Sequence, residues 1–514
     1  MSDFLAGAGL LLATVASAAS ILLPPGRQRS AAMALAIVLF PVLILGDQWH
    51  TAQIVDLRHD SGRIVALLAI TVAAIGALAY VFRRWPVLLP LAIVFALPFR
   101  VPLHAAGDTA NLLVPLYLVI AGGVAAVLIH DWTAPPAGGG GMGFSPAACE
   151  DESPIPPTGP AGRAAQWLPR VLAAVVTLYA VQTLYSDDFS KGLQNVCFFL
   201  IPFTLAFGLL QEVRWDRKLL TWVLALVGIE AVVFVLIGSV EYVTRSLFWN
   251  DQVIRSNEFH TYFRVNSIFW DPNVYGRYLA LVIVVVTAAL LWLRERRDFA
   301  LVTLLIGLLW IGLAETFSQS SYVALLAGLG VLAAVRWSVK WTLAAGAIGI
   351  VGAVLVVLLA GGSGKITSDR LNVDLSGRGS LVSGGVDLFA ERPIWGYGSG
   401  SFQSAYRKHR ENRDIPVTVS HTEPVTVLAE QGLVGLTLYL ALIAVALWTM
   451  TSSIRGAPPA GGAGPAGQAA VLAAFVALLV HSLAYAGFFE DPTTWVLLAV
   501  GASLATAPAV RDPS

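Results

Sequence analysis

The chain has 514 residues, of which 57% are hydrophobic and only 12% are charged, and its formal net charge is zero. A soluble globular domain carries about 25% charged residues, so this composition excludes an ordinary soluble enzyme, and the balanced charge suggests no nucleic-acid partner. The two cysteines, Cys149 and Cys197, are far apart in sequence. Neither a disulfide framework nor a thiolate metal site is therefore expected.

Long apolar segments recur from one end of the chain to the other. A helix needs about 20 apolar residues to cross roughly 30 Å of hydrocarbon. By this measure the sequence predicts about twelve to fifteen spans, and hence an all-α, polytopic transmembrane helix bundle. We interpret residues 4–24 as a retained first span, because no basic leader precedes the apolar run. The other candidate spans lie near residues 31–46, 64–82, 86–98, 111–130, 168–185, 190–211, 219–244, 273–293, 299–315, 319–335, 341–360, 425–451, 469–488 and 494–508.

Composition divides the chain into five expected parts. Two segments, 131–167 and 456–468, are rich in Pro and Gly and lack apolar periodicity, which is typical of flexible linkers. The predicted organisation is N-terminal helices, a cytoplasmic linker, a central bundle, an outer catalytic loop and C-terminal helices. The boundaries are 1–130, 131–167, 168–360, 361–424 and 425–514.

Short loops rich in Lys and Arg all fall on one side of this layout, which the positive-inside rule assigns to the cytoplasm. The long polar loops 245–272 and 361–424 then face the periplasm or exterior. We therefore expect a multi-pass protein of the bacterial inner (plasma) membrane whose chemistry lies on the outer face. Neither ATP nor nucleotide sugars are present there, so a reaction would need an already activated substrate.

The loop 361–424 holds most of the candidate site. Arg378 lies between glycines ahead of an amphipathic stretch that predicts a helix at the interface, and its guanidinium suits a phosphate. The turn from Trp395 to Phe402 is rich in glycine and would let backbone approach a sugar or phosphate closely. The cations from Arg407 to Arg413 fit pairing with lipid headgroups better than a specific site.

His421 stands where this loop meets a long apolar segment, followed by Glu423 and Pro424. A neutral imidazole there could accept a proton from a hydroxyl group. A histidine that caps or packs at the helix end remains the alternative interpretation.

Other polar residues occur near the outer ends of spans. Arg264 could form a second phosphate clamp, whereas Asp271 and Asn273 flank a proline at a helix start and favour N-capping. Glu230 is an intramembrane carboxylate and therefore a functional candidate, and His481 is a possible supporting residue. For both, a hydrogen bond within the bundle is the alternative.

Acidic residues do not cluster at metal-ligand spacing on the outer side. We therefore expect neither a metal nor another cofactor.

Taken together, these motifs resemble the O-antigen ligase/O-antigen polymerase superfamily of membrane glycosyltransferases. The resemblance covers the Ser376-Gly377-Arg378 triplet, a P-x-x-G-x-G-x-x-x-F turn from Pro393, the Ser420-His421 pair and an E-x-G-x-x-G helix from Glu430. The family often has a Ser-Arg pair near 316–321, where this chain has Thr-Phe-Ser-Gln-Ser-Ser.

The resemblance implies a metal-independent enzyme that joins a glycan from an undecaprenyl-pyrophosphate carrier to a glycan or lipid acceptor. Membrane lipids would surround the protein. By the match, His421 would be the catalytic histidine, and Arg264 and Arg378 would hold the pyrophosphate. Glu423 would be a supporting residue. Three alternatives stay open: a transporter or flippase for lipid-linked oligosaccharide, a peptidoglycan-type polymerase, and a non-catalytic scaffold of envelope assembly.

Overall fold

The computed structural model describes residues 3–105, 108–133, 160–259, 262–348, 368–410, 420–455 and 464–506. In the first part of the chain an antiparallel β-hairpin lies between two helices, with Val101 paired to Leu112 and Ala105 paired to Asp108. The elements are α1 (Asp3–Leu22), α2 (Arg27–Asp47), α3 (Ala52–His59), α4 (Ser61–Arg84), α5 (Leu88–Ala96), β1 (Val101–Ala105), β2 (Asp108–Leu112) and α6 (Val114–Thr133).

The regular elements described in the middle of the chain are all helices. The elements are α7 (Pro160–Thr183), α8 (Phe189–Asn195), a π-helical turn (Val196–Leu200), α9 (Ile201–Leu210), α10 (Arg217–Thr244), α11 (Asp251–Phe259), α12 (Pro272–Trp292), α13 (Arg296–Thr316) and α14 (Gln319–Arg336). A shorter helix, α15 (Val339–Ile348), follows. Helix α8, the π-helical turn and α9 form one continuous apolar helix.

The last part contains the helices of the predicted catalytic loop and the C-terminal bundle. They are α16 (Ser368–Glu391), α17 (Phe402–His409), α18 (Glu423–Arg455), α19 (Gly464–Ser482) and α20 (Pro492–Thr506). We call the end of the bundle that carries α11, α16 and α17 the loop end. Residues 483–491 connect α19 to α20 there.

Twelve of the described helices are long and apolar enough to cross a membrane. This confirms the predicted all-α, multi-pass membrane bundle, to which the structure adds only the short hairpin. One large apolar core joins most of these helices, and a smaller cluster joins α16, α17 and α18 around Phe402 and Tyr406. Helix α4 buries almost none of its apolar span, as expected of a helix surrounded by lipid.

Several predicted segments differ from the structure. Helix α5 covers only Leu88–Ala96 of the predicted span 86–98, which is too short to cross a membrane. The predicted linker 131–167 overlaps the end of α6 at residues 131–133 and the start of α7 at Pro160, and its residues 134–159 lie outside the described part. The predicted span 341–360 is described only up to Ile348, and Cys149 also lies outside the described residues.

Helix α18 is broken near the loop end. Gly432 has φ 63° and ψ −160°, which is not helical. The segment 393–398 lies along this break: the Gly398 N–H donates to the Glu430 carbonyl oxygen at 2.8 Å, and the Leu433 N–H donates to the Pro393 carbonyl oxygen at 2.8 Å. These bonds satisfy backbone groups that a break inside a membrane helix would otherwise leave without partners.

The glycine-rich turn after Trp395 makes its close approaches to the protein itself. A Cβ on Gly396 would lie 2.3 Å from the Glu430 carbonyl oxygen, and one on Gly398 would lie 2.3 Å from the Ser186 Cα. The carboxylate of Glu430 accepts the Gly400 and Phe402 N–H groups at 2.8 and 3.0 Å. The glycines thus allow this turn to pack against Ser186, α8 and α18, and its predicted approach to a sugar or phosphate stays a prediction.

We predict that Gly432→Ala destabilises the protein by about 2 kcal/mol or more, because a Cβ at this left-handed φ is strained and would lie 2.4 Å from the Ile394 carbonyl oxygen. Thermal unfolding in detergent measures the effect. Gly330→Ala is the matched control, since nothing lies within 4 Å of its added Cβ in α14. It should leave stability unchanged or raise it. Equal unfolding temperatures for the two variants would refute the structural role of the break.

Candidate active site

The turn before α18 holds His421 in an unusual backbone conformation. Its φ is 63°, in the left-handed region that residues other than glycine seldom adopt. The buried hydroxyl of Ser420 donates to the Thr422 carbonyl oxygen, lies 2.8 Å from the Thr426 hydroxyl and accepts the Thr422 N–H at 3.3 Å. These bonds hold the turn on both sides of His421 and thereby fix the position of the His421 Cα and Cβ, from which the imidazole extends.

Glu423 anchors the start of α18 to the loop between α19 and α20. Its buried carboxylate accepts the N–H groups of Gly487 and Phe488 at 2.7 and 3.1 Å. Both bonds reach one oxygen, Oε2, from a segment more than sixty residues away in sequence. The position of His421 therefore depends on the 483–491 loop as well as on its own turn.

Arg264 joins three segments of the loop end. Its backbone N–H donates to the Asn257 side chain of α11 at 3.0 Å. Its guanidinium donates through Nε to the Thr316 carbonyl oxygen at 3.0 Å and through Nη2 to Asn273 Oδ1 at 3.1 Å. The predicted phosphate clamp is thus held in place between α11, the end of α13 and the start of α12.

Asp271 is the N-cap of α12, as the sequence predicts: Oδ1 accepts the Asn273 N–H at 2.6 Å. Its second oxygen has a further partner, since the Tyr485 hydroxyl donates to Oδ2 at 3.2 Å. Burial raises the pKa of Tyr485, and the negative charge of Asp271 raises it further. Tyr485 therefore stays a hydrogen-bond donor that ties α12 to the 483–491 loop.

A chain of hydroxyl groups links Asn273 to His481. Ser318 donates to Asn273 Oδ1 at 3.0 Å and lies 3.2 Å from the Ser320 hydroxyl. Ser320 in turn lies 3.2 Å from Nε2 of the fully buried His481. The 316–321 segment, where an arginine was expected from the resemblance, instead supplies serine hydroxyls to the cluster.

The structure also places a buried ion pair here that the sequence did not single out. Arg277 Nη2 lies 2.8 Å from Asp491 Oδ2, and both side chains are 93% buried. Arg277 follows Gly276, where an added Cβ would lie 2.6 Å from Ser321 Oγ and 3.0 Å from Ser318 Cβ. An arginine inside an otherwise apolar span is the signal that could have identified it, because an intramembrane charge is a functional candidate by default.

Glu230 lies apart from this polar cluster, and the sequence prediction for Arg378 needs a correction. Glu230 is buried along α10, where the Tyr278 hydroxyl lies 3.4 Å from its Oε2 and no described group hydrogen-bonds to its Oε1. Arg378 was predicted at the start of a helix, which is wrong: α16 begins at Ser368 and continues past it. The Arg378 side chain lies outside the described part of the structure.

The basic helix α17 is fixed to its neighbours by polar contacts at the edge of the site. Lys408 lies 2.9 Å from Asp187, which also faces Arg392 at 3.7 Å. Glu391 accepts a hydrogen bond from the Tyr397 hydroxyl and lies 2.8 Å from His409 Nδ1. The sequence favoured lipid headgroups as partners for these cations, whereas Lys408 pairs with a carboxylate of the protein.

Among the side chains that the structure describes, no group of three or more His, Cys, Asp or Glu residues could hold a metal ion. These features define a polytopic helical membrane protein with a buried, hydrogen-bonded polar cluster at one end of its bundle.

A family model described as O-antigen ligase matches residues 304–440, a segment that contains Arg378 and His421. The match supports the resemblance to the O-antigen ligase/polymerase family that the sequence motifs predicted. No curated protein matches the chain. The family supports a membrane glycosyltransferase-like enzyme with a role in O-antigen assembly, and it implies a lipid-linked glycan donor.

We predict that Glu423→Ala destabilises the protein by about 2 kcal/mol or more, because it leaves two buried N–H groups without an acceptor. Amide hydrogen exchange at Gly487 and Phe488 should accelerate at least about tenfold, as read by mass spectrometry. Glu423→Gln is the conservative control and should lose less, since its amide keeps an acceptor oxygen. Unchanged exchange in the alanine variant would show that this carboxylate does not hold the loop.

The bond between Tyr397 and Glu391 should depend on pH. The hydrogen bond from Tyr397 lowers the pKa of Glu391 below its ordinary 4.5, and burial together with this bond raises the pKa of Tyr397 to about 12. The carboxylate contributes stability above pH 4.5 that is lost as the pH falls through its lowered pKa. The neutral phenol contributes stability below pH 10 that is lost as the pH rises through about 12.

Tyr397→Phe should therefore lower the unfolding temperature by roughly 1–3 °C between about pH 5 and 9, and by less at either extreme. Thermal unfolding of wild type and variant across this pH range measures the difference. Tyr406→Phe is the control, because the Tyr406 hydroxyl donates to the Ser380 carbonyl oxygen, which does not titrate. A pH-independent difference for Tyr397→Phe would contradict the pairing.

Proposed function

We propose that this protein transfers a glycan from an undecaprenyl-pyrophosphate carrier to a hydroxyl group of a glycan or lipid acceptor. The observation that carries the proposal is the position of His421. It lies within the segment matched by the O-antigen ligase family, in a strained left-handed conformation held by Ser420 and Glu423. Strain of this kind persists only where the surroundings over-determine it, and it clusters at functional sites.

His421 acts as the general base or orienting group for the acceptor hydroxyl. Such a group contributes typically about 10²–10⁴-fold to the rate. Attack by the acceptor oxygen on the anomeric carbon breaks the bond to the pyrophosphate, which leaves with the electron pair of that bond. Attack from the face opposite the leaving group inverts the anomeric centre.

Arg264 and Arg378 hold the pyrophosphate and stabilise the negative charge that grows on it as the bond breaks. The hydrogen bonds of Arg264 to Thr316 and Asn273 support this role, because they fix the guanidinium in advance of the reaction. Asp271 and His481 support the site through the same polar cluster, by way of Tyr485 and Ser320. Glu230 has no part in this step, since it lies apart from that cluster.

The reaction takes place on the outer face of the bacterial inner membrane. The side assignment comes from the arginine-rich short loops, which the positive-inside rule assigns to the cytoplasm. The donor brings its own activated leaving group, so the step needs no nucleotide, metal ion or cofactor.

The decisive experiment measures transfer from a purified lipid-pyrophosphate oligosaccharide by the full-length protein, without nucleotide and with a chelator. His421→Asn should lower the transfer rate by about 10²-fold or more. Asparagine tolerates the left-handed conformation and lacks the imidazole, so the variant separates lost chemistry from a strained fold. His421→Ala tests the same point with added backbone strain.

His409→Ala is the matched control. It removes another histidine of the loop end, one that pairs with Glu391 at 2.8 Å, and should leave transfer unchanged. Full transfer activity in a folded His421→Asn variant would contradict the catalytic role of His421. Movement of the lipid-linked oligosaccharide across vesicles without a new glycosidic bond would favour a flippase instead.

A further inference from the structure

Two aromatic side chains, Tyr262 and Phe317, stack on each other at the loop end. Their ring centroids are 4.8 Å apart and the ring planes differ by 25°, which is a face-to-face arrangement. Tyr262 is 39% exposed and Phe317 is 41% exposed. Because stacking covers one face of each ring, the exposed area lies on the other faces and on the edges. We call this pair the aromatic platform.

Phe317 is held outward by an unusual helix end. It terminates α13 in the left-handed region, with φ 49° and ψ 34°. A helix that ends in this way usually has glycine there, or sometimes asparagine, and the conformation is an outlier for a bulky residue. The residues on either side, Thr316 and Ser318, are fully buried. The turn thus buries two polar residues and exposes a phenyl ring between them, at a cost in strain that persists mainly at functional sites.

Two segments run side by side next to the aromatic platform. The Val265 N–H donates to the Glu315 carbonyl oxygen at 3.2 Å, and Arg264 Nε donates to the Thr316 carbonyl oxygen at 3.0 Å. Asn257 fixes the first segment further, because its side chain bonds both the N–H and the carbonyl oxygen of Arg264 at 3.0 Å. The stacked rings are the next contact in this series. The aromatic platform is therefore fixed beside the residue that the proposed function assigns to the pyrophosphate.

An exposed aromatic surface beside a phosphate-binding arginine suits a sugar ring. The faces of Phe and Tyr rings carry a negative potential. The C–H groups on one face of a pyranose are polarised by the neighbouring oxygens, so they form weak hydrogen bonds to such a surface. The hydroxyl groups at the edge of the sugar then stay free to bond water or polar side chains. The reaction brings two sugars to this place, one on the pyrophosphate and one on the acceptor.

A hydrogen-bonding side chain lies on the same connection between α13 and α14. Gln319, two residues after Phe317, is exposed and begins α14. Its amide offers two donors and one acceptor, which match the hydroxyl groups of a sugar. No described group hydrogen-bonds to this amide. The connection therefore supplies both an apolar face and a polar group of the kind that a sugar requires.

Membrane anchoring is the other role of exposed aromatic residues at this level of a bundle. Interfacial belts are built from Trp and Tyr, whose polar ends meet the lipid headgroups. Phe317 has no polar end, and an anchor needs neither a stacked partner nor a left-handed backbone. The observations therefore favour a binding surface over an anchor.

We propose that the aromatic platform of Tyr262 and Phe317 binds one face of a pyranose ring of the reacting glycans, and that Gln319 bonds the hydroxyl groups of that ring. This assignment rests on the proposed function for the class of substrate. The ring belongs to the sugar carried by the pyrophosphate or to the sugar of the acceptor, and the kinetics of transfer distinguish these two sources.

The first test is the variant Phe317→Leu, which stays apolar and keeps a side chain of the same backbone strain but loses the flat face. Its KM for one of the two substrates should rise roughly three- to tenfold, with an unchanged unfolding temperature. A raised KM for the lipid-pyrophosphate oligosaccharide assigns the ring to the donor, and a raised KM for the acceptor assigns it to the acceptor. Phe317→Tyr keeps the face and should keep both KM values.

Phe248→Leu is the matched control, because Phe248 is 62% exposed at the same end of the bundle and lies outside the aromatic platform. It should change neither KM value. An equal loss in Phe248→Leu would indicate anchoring to the membrane and would overturn the platform. Unchanged KM values for both substrates in Phe317→Leu would overturn it as well.

Binding is also measured without the reaction. The oligosaccharide released from the donor by mild acid is added to full-length protein in lipid nanodiscs, and saturation-transfer-difference NMR detects the sugar protons that contact protein. If the ring belongs to the donor, the C–H protons of one ring face receive saturation, and Phe317→Leu combined with Tyr262→Leu lowers that signal roughly threefold or more. A signal that persists in the double variant removes the donor sugar as the ligand.

These outcomes are separable from those of the proposed function. A signal lost in the double variant, in a protein that transfers to no acceptor, leaves the aromatic platform standing and removes the proposed reaction. Normal transfer with both KM values unchanged in Phe317→Leu removes the platform alone. A persistent signal together with absence of transfer removes both.

Discussion

Two buried carboxylates on α18 bind the backbone of the segments that surround the candidate active site. Glu423 accepts two N–H groups from the 483–491 loop, and Glu430, two turns further along, accepts two from the glycine-rich turn. Inside a membrane protein such groups have no water to bond, so each must find a protein partner. The break of α18 at Gly432 and the turn before it are possible because these acceptors are present.

The same constraint explains why the polar cluster extends across four helices. The starts of α12, α14 and α18 and the end of α19 each bring hydrogen-bonding groups to the loop end, and these groups bond to one another or to the backbone of the connecting loop. Asp271 both caps its own helix and accepts from Tyr485, and Ser318 joins Asn273 to Ser320. A site built this way is held rigid before substrate arrives, which is the condition for electrostatic stabilisation of a developing charge.

Helix α12 connects this cluster to the interior of the membrane. Its first turn carries Asn273, its second carries Arg277, and the rest of the helix is almost entirely apolar down to Trp292. The buried pair of Arg277 and Asp491 marks the transition, because a charge is tolerated there only with a partner.

The sequence alone determined the class of fold and indicated the resemblance to the O-antigen ligase/polymerase family. Apolar length identifies membrane spans because the bilayer imposes it, and the motifs around Arg378 and His421 agreed with the family match. The capping role of Asp271 was also readable, since a cap depends only on neighbours along the chain. Each of these features depends only on residues that are close together along the chain.

Only the tertiary structure decided which distant residues meet. Nothing near Glu423 in sequence reveals that it binds Gly487 and Phe488. The charge of Arg277 within an apolar span is visible in the sequence, but its partner Asp491 is not. The packing of the glycines of residues 396–400 was not predictable for the same reason: their close partners are Ser186, α8 and α18, which the sequence does not place beside them. Such contacts arise from helix packing between segments far apart in the chain, and no local pattern encodes them.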